Sequence, residues 1–388
     1  MLNAPRLDGI DPFAATVRGL AEPDPVHAAL RTAGPLVQVD APAGGPAWII
    51  TDSALAREVF ADPLISKDPA FAPPCWDPRT AGLEPTAAEQ PSLTTLEGPG
   101  HAELRRAHAP LLNARRIHLQ SGRVHEIARK LLTELATDRT EVDLMADFTT
   151  RFPLTVLLDL LGIHLDHLDE ATDACRLMVS GRPDAQGSAI AALSRVAAAG
   201  LGELGRGLAA ELRDRVPAHT TQEQLRYHLF ALIFAGQLTT DAALGTLVAY
   251  ALADGPQPGP VDEGGVDELV GETLRLHPPA PFSLWRFTTT EIDLAGIRLP
   301  ARAPVLVDIR GINTDPARSP GPDLAFGAGP HYCIGARLAQ LELRAVATVL
   351  RTEFPDARLA LPLTELRQAC TGGLQGSRLT ALPVALHG

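Results

Sequence analysis

Residues 326–335 read Phe326-Gly327-Ala328-Gly329-Pro330-His331-Tyr332-Cys333-Ile334-Gly335, and an amphipathic run follows, with Ile334, Leu338, Leu341, Ala345 and Val349 on one side. Three glycines and a proline make the stretch a tight loop, and the helical spacing downstream makes the next element a helix. The loop therefore presents one cysteine at a helix N-terminus. Unpaired N–H groups and the positive end of the helix dipole favour a thiolate there, which predicts a lowered pKa for Cys333. The glycines let the backbone come close enough to donate N–H bonds to the sulfur.

The other cysteines, Cys75, Cys175 and Cys370, lie far from Cys333 and from one another, and no C-x-x-C pair occurs. That argues against a zinc ribbon or an iron–sulfur cluster and offers no disulfide framework. A lone thiolate makes a poor zinc site but is an axial ligand for haem iron.

The spacing F-G-x-G-x-H-x-C-x-G resembles the cysteine loop of the cytochrome P-450 family, with all six marked positions matched. At average residue frequencies such a match arises by chance in about one chain in a million of this length. Weaker motifs stand in the order that family has them. Glu272-Thr273-Leu274-Arg275 resembles its E-x-x-R helix, whose ion pair supports the haem loop, and Leu276-His277-Pro278-Pro279 and Arg286 follow. His101 and Arg105 resemble its H-x-x-x-R; four residues apart, they share a helix face and can meet one anionic group. The resemblance implies that His101, Arg105, Arg286 and His331 bind the haem propionates through charge-assisted bonds. Phe326, Gly327 and Gly335 would shape the haem loop, and Cys333 would ligate the iron of haem b.

The segment from about Gln222 to Asp254 is apolar on all sides, as expected of a helix buried at the centre of a large protein. Its middle is nonetheless small and polar, Ala235-Gly236-Gln237-Leu238-Thr239-Thr240. The resemblance makes this the helix that lies over the haem, with Ala235 and Gly236 leaving room for dioxygen and Thr239 supplying the hydroxyl that helps deliver protons. The implied fold is that of the family: mainly α with a small β region (α+β), one domain over residues 1–388.

Composition agrees. Of 388 residues 45% are hydrophobic and only 4% aromatic, so the core must come mostly from Leu, Val and Ala, which favours helices. Helices are expected at Val26–Thr32, Ser53–Phe60, His101–Leu112, Arg115–Ala136, Phe148–Leu161 and Ser188–Arg215. Strands are expected at Leu36–Val39, Ala47–Ile50, Phe282–Phe287, Ile292–Ile297 and Pro304–Asp308, with another pair near the C-terminus. The Pro-rich stretch Pro69 to Gly100 reads as a lid or binding loop. A net charge of −12 argues against a nucleic-acid partner. No run of 18 apolar residues and no signal-peptide core is evident, so no membrane anchor is expected and the chain reads as a cytoplasmic monomer.

No flavin or nicotinamide motif accompanies the haem loop. Electrons would therefore come from NAD(P)H through a separate ferredoxin and ferredoxin reductase, with Arg105, Arg106, Arg115 and Arg116 as a basic patch for the acidic ferredoxin. The implied activity is insertion of one oxygen atom of O2 into a hydrophobic small molecule of secondary metabolism, free or carrier-bound. The pocket would include Leu232, Ala235, Phe282, Leu284 and Leu374.

Three departures from the family pattern stand out. Leu238 occupies the place of an acid beside the threonine, and Asp241, three residues on, is expected to replace it in part. The segment between Asn313 and Phe326 is shortened and lacks the arginine that joins the E-x-x-R pair, leaving Arg318 as a candidate substitute. Gly255 to Gly265 replaces a short helix with a linker. These departures keep open two other readings: a peroxide-using or radical-coupling haem enzyme that needs no proton relay, and a haem-binding relative without catalytic activity.

Overall fold

The computed structural model describes residues 4–7, 9–81, 89–180, 182–202, 207–253, 263–318 and 321–387. Most of the Gly255 to Gly265 linker lies outside these residues.

The small sheet forms where β-branched residues cluster. Leu36–Asp40 and Pro46–Ile50 pair antiparallel, Leu36 opposite Ile50. Pro46–Ile50 also pairs parallel with Pro304–Val307, Trp48 opposite Val305. Arg286–Thr288 and then Ile65–Ser66 complete five strands. Of the expected strand Phe282–Phe287 only the end is strand, and Phe282 makes a single bridge to Asp308. The expected strand Ile292–Ile297 is a hairpin of Ile292–Leu294 and Ile297–Leu299, reversed at Ala295 and Gly296, both with positive φ.

Helices make up most of the rest. Expected helices are interrupted where capping or backbone geometry intervenes. Arg115–Ala136 is two helices, Ala114–Leu119 and Ser121–Asp138. His101–Leu112 is a helix over Gly98–His108 followed by a 3-10 turn at Ala109–Leu112. The Ala-rich run forms helices over Pro183–Gly202 and Gly207–Arg215. A helix at Leu168–Met178 had no expectation, because its apolar face is short and interleaved with Asp and Glu.

The central helix, Gln222–Ala251, starts on a capping box in which Thr221 and Gln224 satisfy each other's backbone N–H groups. At a mean hydropathy of 1.3 it is apolar and long enough to cross a bilayer, contrary to the expectation that no such segment exists. Leu229, Ile233, Leu244, Leu247 and Val248 are nonetheless fully buried in two cores. One core packs the central helix on Ser121–Asp138 and on the helix after the cysteine, Ala336–Glu353; the other packs it on Arg151–Leu161 and Leu168–Met178. Burial of these side chains at about 1.5–3 kcal/mol each accounts for an apolar surface that would otherwise suit lipid.

Candidate functional site

The central helix, the cysteine loop and the sheet enclose a cavity of about 650 Å³. Cys333 forms part of its wall. Positive φ at Gly327 and Gly329 turns the loop, and a Cβ on Gly329 would lie 2.5 Å from the Phe60 carbonyl oxygen, so only glycine fits there. The Cys333 N–H donates to the Phe326 carbonyl (3.0 Å), and the Gly335 and Ala336 N–H groups donate to its sulfur. Although Cys333 is open to the cavity, the protein packed around it removes bulk water and pushes the thiol pKa up, against those donors and the positive charges of Arg105 and Lys67. The expectation of a lowered pKa fails on this point: a helix N-terminus favours the thiolate, but desolvation is larger. A thiolate there needs a cationic partner on the cavity side.

Basic side chains gather beside it. Register places two of them: Ile65 pairs with Thr288 and Ser66 with Phe287, which brings Lys67 next to Arg286. Both are buried, and desolvation lowers both pKa values against the pull of Glu97, Lys67 to about 7 with a further contribution from the Arg286 charge and Arg286 to about 10. Arg286 lies over the Phe60 ring, 5.0 Å from its centroid. Arg105 donates to the Tyr332 carbonyl (2.7 Å) and faces the cavity. His331 Nδ1 meets the Leu93 carbonyl oxygen at 3.1 Å, and Nε2 lies 3.0 Å from Glu97. His101 stands behind His331 with ring centroids 4.0 Å apart rather than in the cavity wall, its pKa lowered to about 4 by burial. Glu97 is the carboxylate set among these five basic groups. Arg286 Nε and His101 Nε2 are buried without a hydrogen-bond partner.

Across the cavity the central helix presents Leu232, Ala235, Leu238 and Thr239, and Phe282, Leu284 and Leu374 line other parts of the wall. Thr239 donates its hydroxyl to the Ala235 carbonyl (2.9 Å).

No family model matches the chain. It is, however, 43% identical to the cytochrome P-450 monooxygenase DoxA of Streptomyces sp. (strain C5), an alignment covering 99% of each chain. The chain belongs to the cytochrome P-450 family. It is also 32% identical to the P-450 monooxygenase PikC of Streptomyces venezuelae, over 94% of this chain and 91% of that one. The solved structure of CYP154A1 from Streptomyces coelicolor A3(2) superposes with a TM-score of 0.80 at 26% identity, covering 96% of this chain and all of that one. The protein is an oxidoreductase, a P-450 monooxygenase whose family carries haem and draws reducing equivalents from partners.

The residues present fit haem. A planar, largely apolar group with two carboxylates would satisfy the unpaired Arg286 nitrogen, offset the basic groups around Glu97, and offer a cation to Cys333.

Several expected P-450 features take different positions. Asp241 does not line the cavity. On the helix it shares a face with Gln237, and its Oδ2 accepts from Gln237 (3.2 Å), Thr150 (3.1 Å) and Arg378 Nε (3.1 Å). A step of three residues turns it about 60° from Leu238, enough to leave the cavity for the interface with Arg378. Gly236 touches the cavity, yet the place of its missing side chain belongs to Leu157, whose methyl carbons would lie 3.1 Å from an added Cβ. The space it saves is for a neighbouring helix. In the E-x-x-R helix, Arg275 holds Glu272 in two bonds (2.8 and 2.6 Å) and donates a third to the Asn313 carbonyl (2.8 Å). Arg318 donates to the Gly321 and Pro322 carbonyls, and its charge acts on Glu272 beside that of Arg275, lowering the Glu272 pKa. In the expected basic patch, Arg116 is bound by Glu211, while Arg106 and Arg115 are exposed.

Two site residues escaped the sequence reading. Lys67 could be placed only by strand register. Glu342 sits fully buried in the cavity wall beside Thr240, its pKa raised well above the carboxylate range by desolvation. Its signal was available: an acid on the apolar side of an amphipathic helix, between Leu338 and Ala345.

Proposed function

We propose that this P-450 holds haem b through Cys333 and oxidises a small hydrophobic organic molecule, with electrons from NAD(P)H delivered by a ferredoxin and its reductase. The observation that carries this reading is the cluster of Lys67, His101, Arg105, Arg286 and His331 around Glu97, next to a lone cysteine at the wall of an apolar cavity. Lys67, Arg105, Arg286 and His331 bind the propionates, and His101 braces His331 from behind.

When bound, haem with a thiolate ligand supplies the activation of O2. The chain's own groups do the rest. Gly335 and Ala336 hold the sulfur by their N–H groups. Leu232, Leu238, Phe282, Leu284 and Leu374 exclude water and orient the apolar substrate. Thr239 offers a hydroxyl in that wall, and Glu342, whose pKa burial raises well above the ordinary value, holds its carboxyl proton more firmly within the same cavity. Together they stand in for the acid that Leu238 replaces, a role the ion pair with Arg378 denies to Asp241.

The test is reconstitution of the purified holoenzyme with NADPH, a ferredoxin and a reductase under 18O2, against peroxide alone. One labelled oxygen atom in the product, made only with the electron chain, is expected. Turnover with peroxide alone, or none with either, would replace this reading with one of the two other haem functions.

A further inference from the structure

The end of the cavity at the start of the central helix carries a polar pair that oxygen chemistry does not use. His228, Leu232, Ala235 and Thr239 follow at intervals of four, three and four residues, so they share one face of the helix, and all four line the cavity. At 1.5 Å per residue His228 stands about 10 Å from Ala235 and about 16 Å from Thr239 along the helix axis. Facing it is His108, the last residue of the helix Gly98–His108, with the two rings edge to face at 5.2 Å and 89°.

Both histidines are removed from bulk water, at 2% and 4% exposure, and both touch the cavity. His108 Nδ1 lies 2.9 Å from the Leu104 carbonyl oxygen. A carbonyl only accepts, so this nitrogen carries the proton and His108 Nε2 presents a lone pair. Among the described residues neither that Nε2 nor either ring nitrogen of His228 has a hydrogen-bond partner. Leu111, Leu161, Met178 and Leu208 line the same cavity, as do the polar Gln186 and Tyr227. Burial lowers both pKa values, that of His228 to about 4, so at neutral pH the pair is two uncharged imidazoles rather than an anion trap.

We propose that His108 and His228 form a subsite for a hydroxyl group at one end of an elongated apolar substrate, three helical turns from Thr239. A hydroxyl matches the pair because it donates and accepts at once: to His108 Nε2 and from a His228 N–H. A carboxylate would find no charge to meet it, and a methyl ether could not donate. The inference rests on the reading of this cavity as the substrate site. It adds that the substrate is about 10–16 Å long and is held at the end remote from the oxidised carbon.

The experiment measures binding to the ferric holoenzyme, by the change in haem absorption and independently by calorimetry. The ligands are three trios of rigid polycyclic compounds of different length, each a phenol, its O-methyl ether and its deoxy parent; estrone, estrone 3-methyl ether and 3-deoxyestrone form one trio. At least one phenol is expected to bind about tenfold tighter than its two analogues, as one well-made buried hydrogen bond allows. In the variant His108→Leu/His228→Leu that preference should shrink to within about twofold, with affinity for the deoxy parent kept. His228→Gln, which can still donate, should retain part of the preference, and haem content and denaturation midpoint report whether each variant is folded. Analogues binding as well as phenols, or a preference that survives the double variant, would overturn the subsite alone. If no compound of any trio binds, the substrate-site reading falls and takes the subsite with it.

Discussion

The two walls of the cavity use charge in opposite ways. On the side of the cysteine loop, Lys67, Arg105, Arg286 and His331 crowd around one carboxylate, Glu97, and the pKa values of Lys67 and Arg286 are lowered chiefly by desolvation, which the one carboxylate only partly offsets. On the side of the central helix, Asp241 is matched by Arg378 and turned away from the cavity, and Glu342, reaching that side from the helix after the cysteine, has its pKa raised by burial. The first wall is unbalanced by itself and fits a dianionic cofactor. The second is balanced without a ligand and fits an uncharged one. A binding site can therefore be read from whether its charges close, as much as from which residues it holds.

The strongest way to break this contrast is Cys333→Ser, which should abolish the thiolate-type spectrum of the reduced, carbon-monoxide-treated protein and all NADPH-driven product. A thiolate spectrum in that variant would remove Cys333 from the site. Next in size is Asp241→Asn. It leaves the partly buried Arg378 without its partner and should cost about 2–4 kcal/mol in chemical denaturation, while the fraction of NADPH converted to product by the folded enzyme stays as before. A loss of coupling with stability intact would return Asp241 to the proton path.

Glu342→Gln should do the reverse, lowering the coupled fraction by roughly tenfold while leaving the fold intact. Its stability has a definite pH signature. The folded pKa of Glu342 is raised, so the folded state keeps a proton that the unfolded chain releases, and wild-type stability declines as pH rises above the ordinary value of 4.5. The glutamine variant lacks that contribution and should gain on the wild type from acid to neutral pH; parallel denaturation curves would show Glu342 to be ionised or solvated. Lys67→Met should weaken haem retention by roughly tenfold in competition with apomyoglobin. The smallest effect is expected of Gly236→Ala. Close contact with Leu157 and the higher helix propensity of alanine nearly cancel, within about 1 kcal/mol, and ligand affinity should not move if Gly236 serves helix packing.

The cysteine loop was legible because its pattern is local: closely spaced residues carry the turn, the N–H donors and the cysteine proposed as ligand. The central helix was equally plain, since no soluble helix is apolar all round unless it is buried. Lys67 was not, because only the pairing of Ile65–Ser66 with Arg286–Thr288 reveals its neighbour, and pairing over that distance leaves no mark on local spacing. Asp241 and Gly236 were misread for a related reason. Helical periodicity gives the angle between two residues, but not which neighbour lies in that direction. Arg318 keeps an electrostatic part of its expected task, lowering the Glu272 pKa beside Arg275, although its hydrogen bonds go to the Gly321 and Pro322 carbonyls.

Strand Thr16–Gly19 pairs with Arg367–Cys370, and nearby Glu22 meets Arg367 from 345 residues away. During synthesis, therefore, the strand Thr16–Gly19 waits for the segment around Arg367, 345 residues after Glu22, before it finds its mate, and Cys333 emerges only shortly ahead of that segment. Cofactor capture is then a late event, preceded by a nascent chain with its oily central segment uncovered. Such long-range closure slows folding and exposes sticky intermediates. Yield in a recombinant host should accordingly depend on chaperone and haem supply once Arg367–Cys370 has been made more than on the intrinsic strength of any one contact.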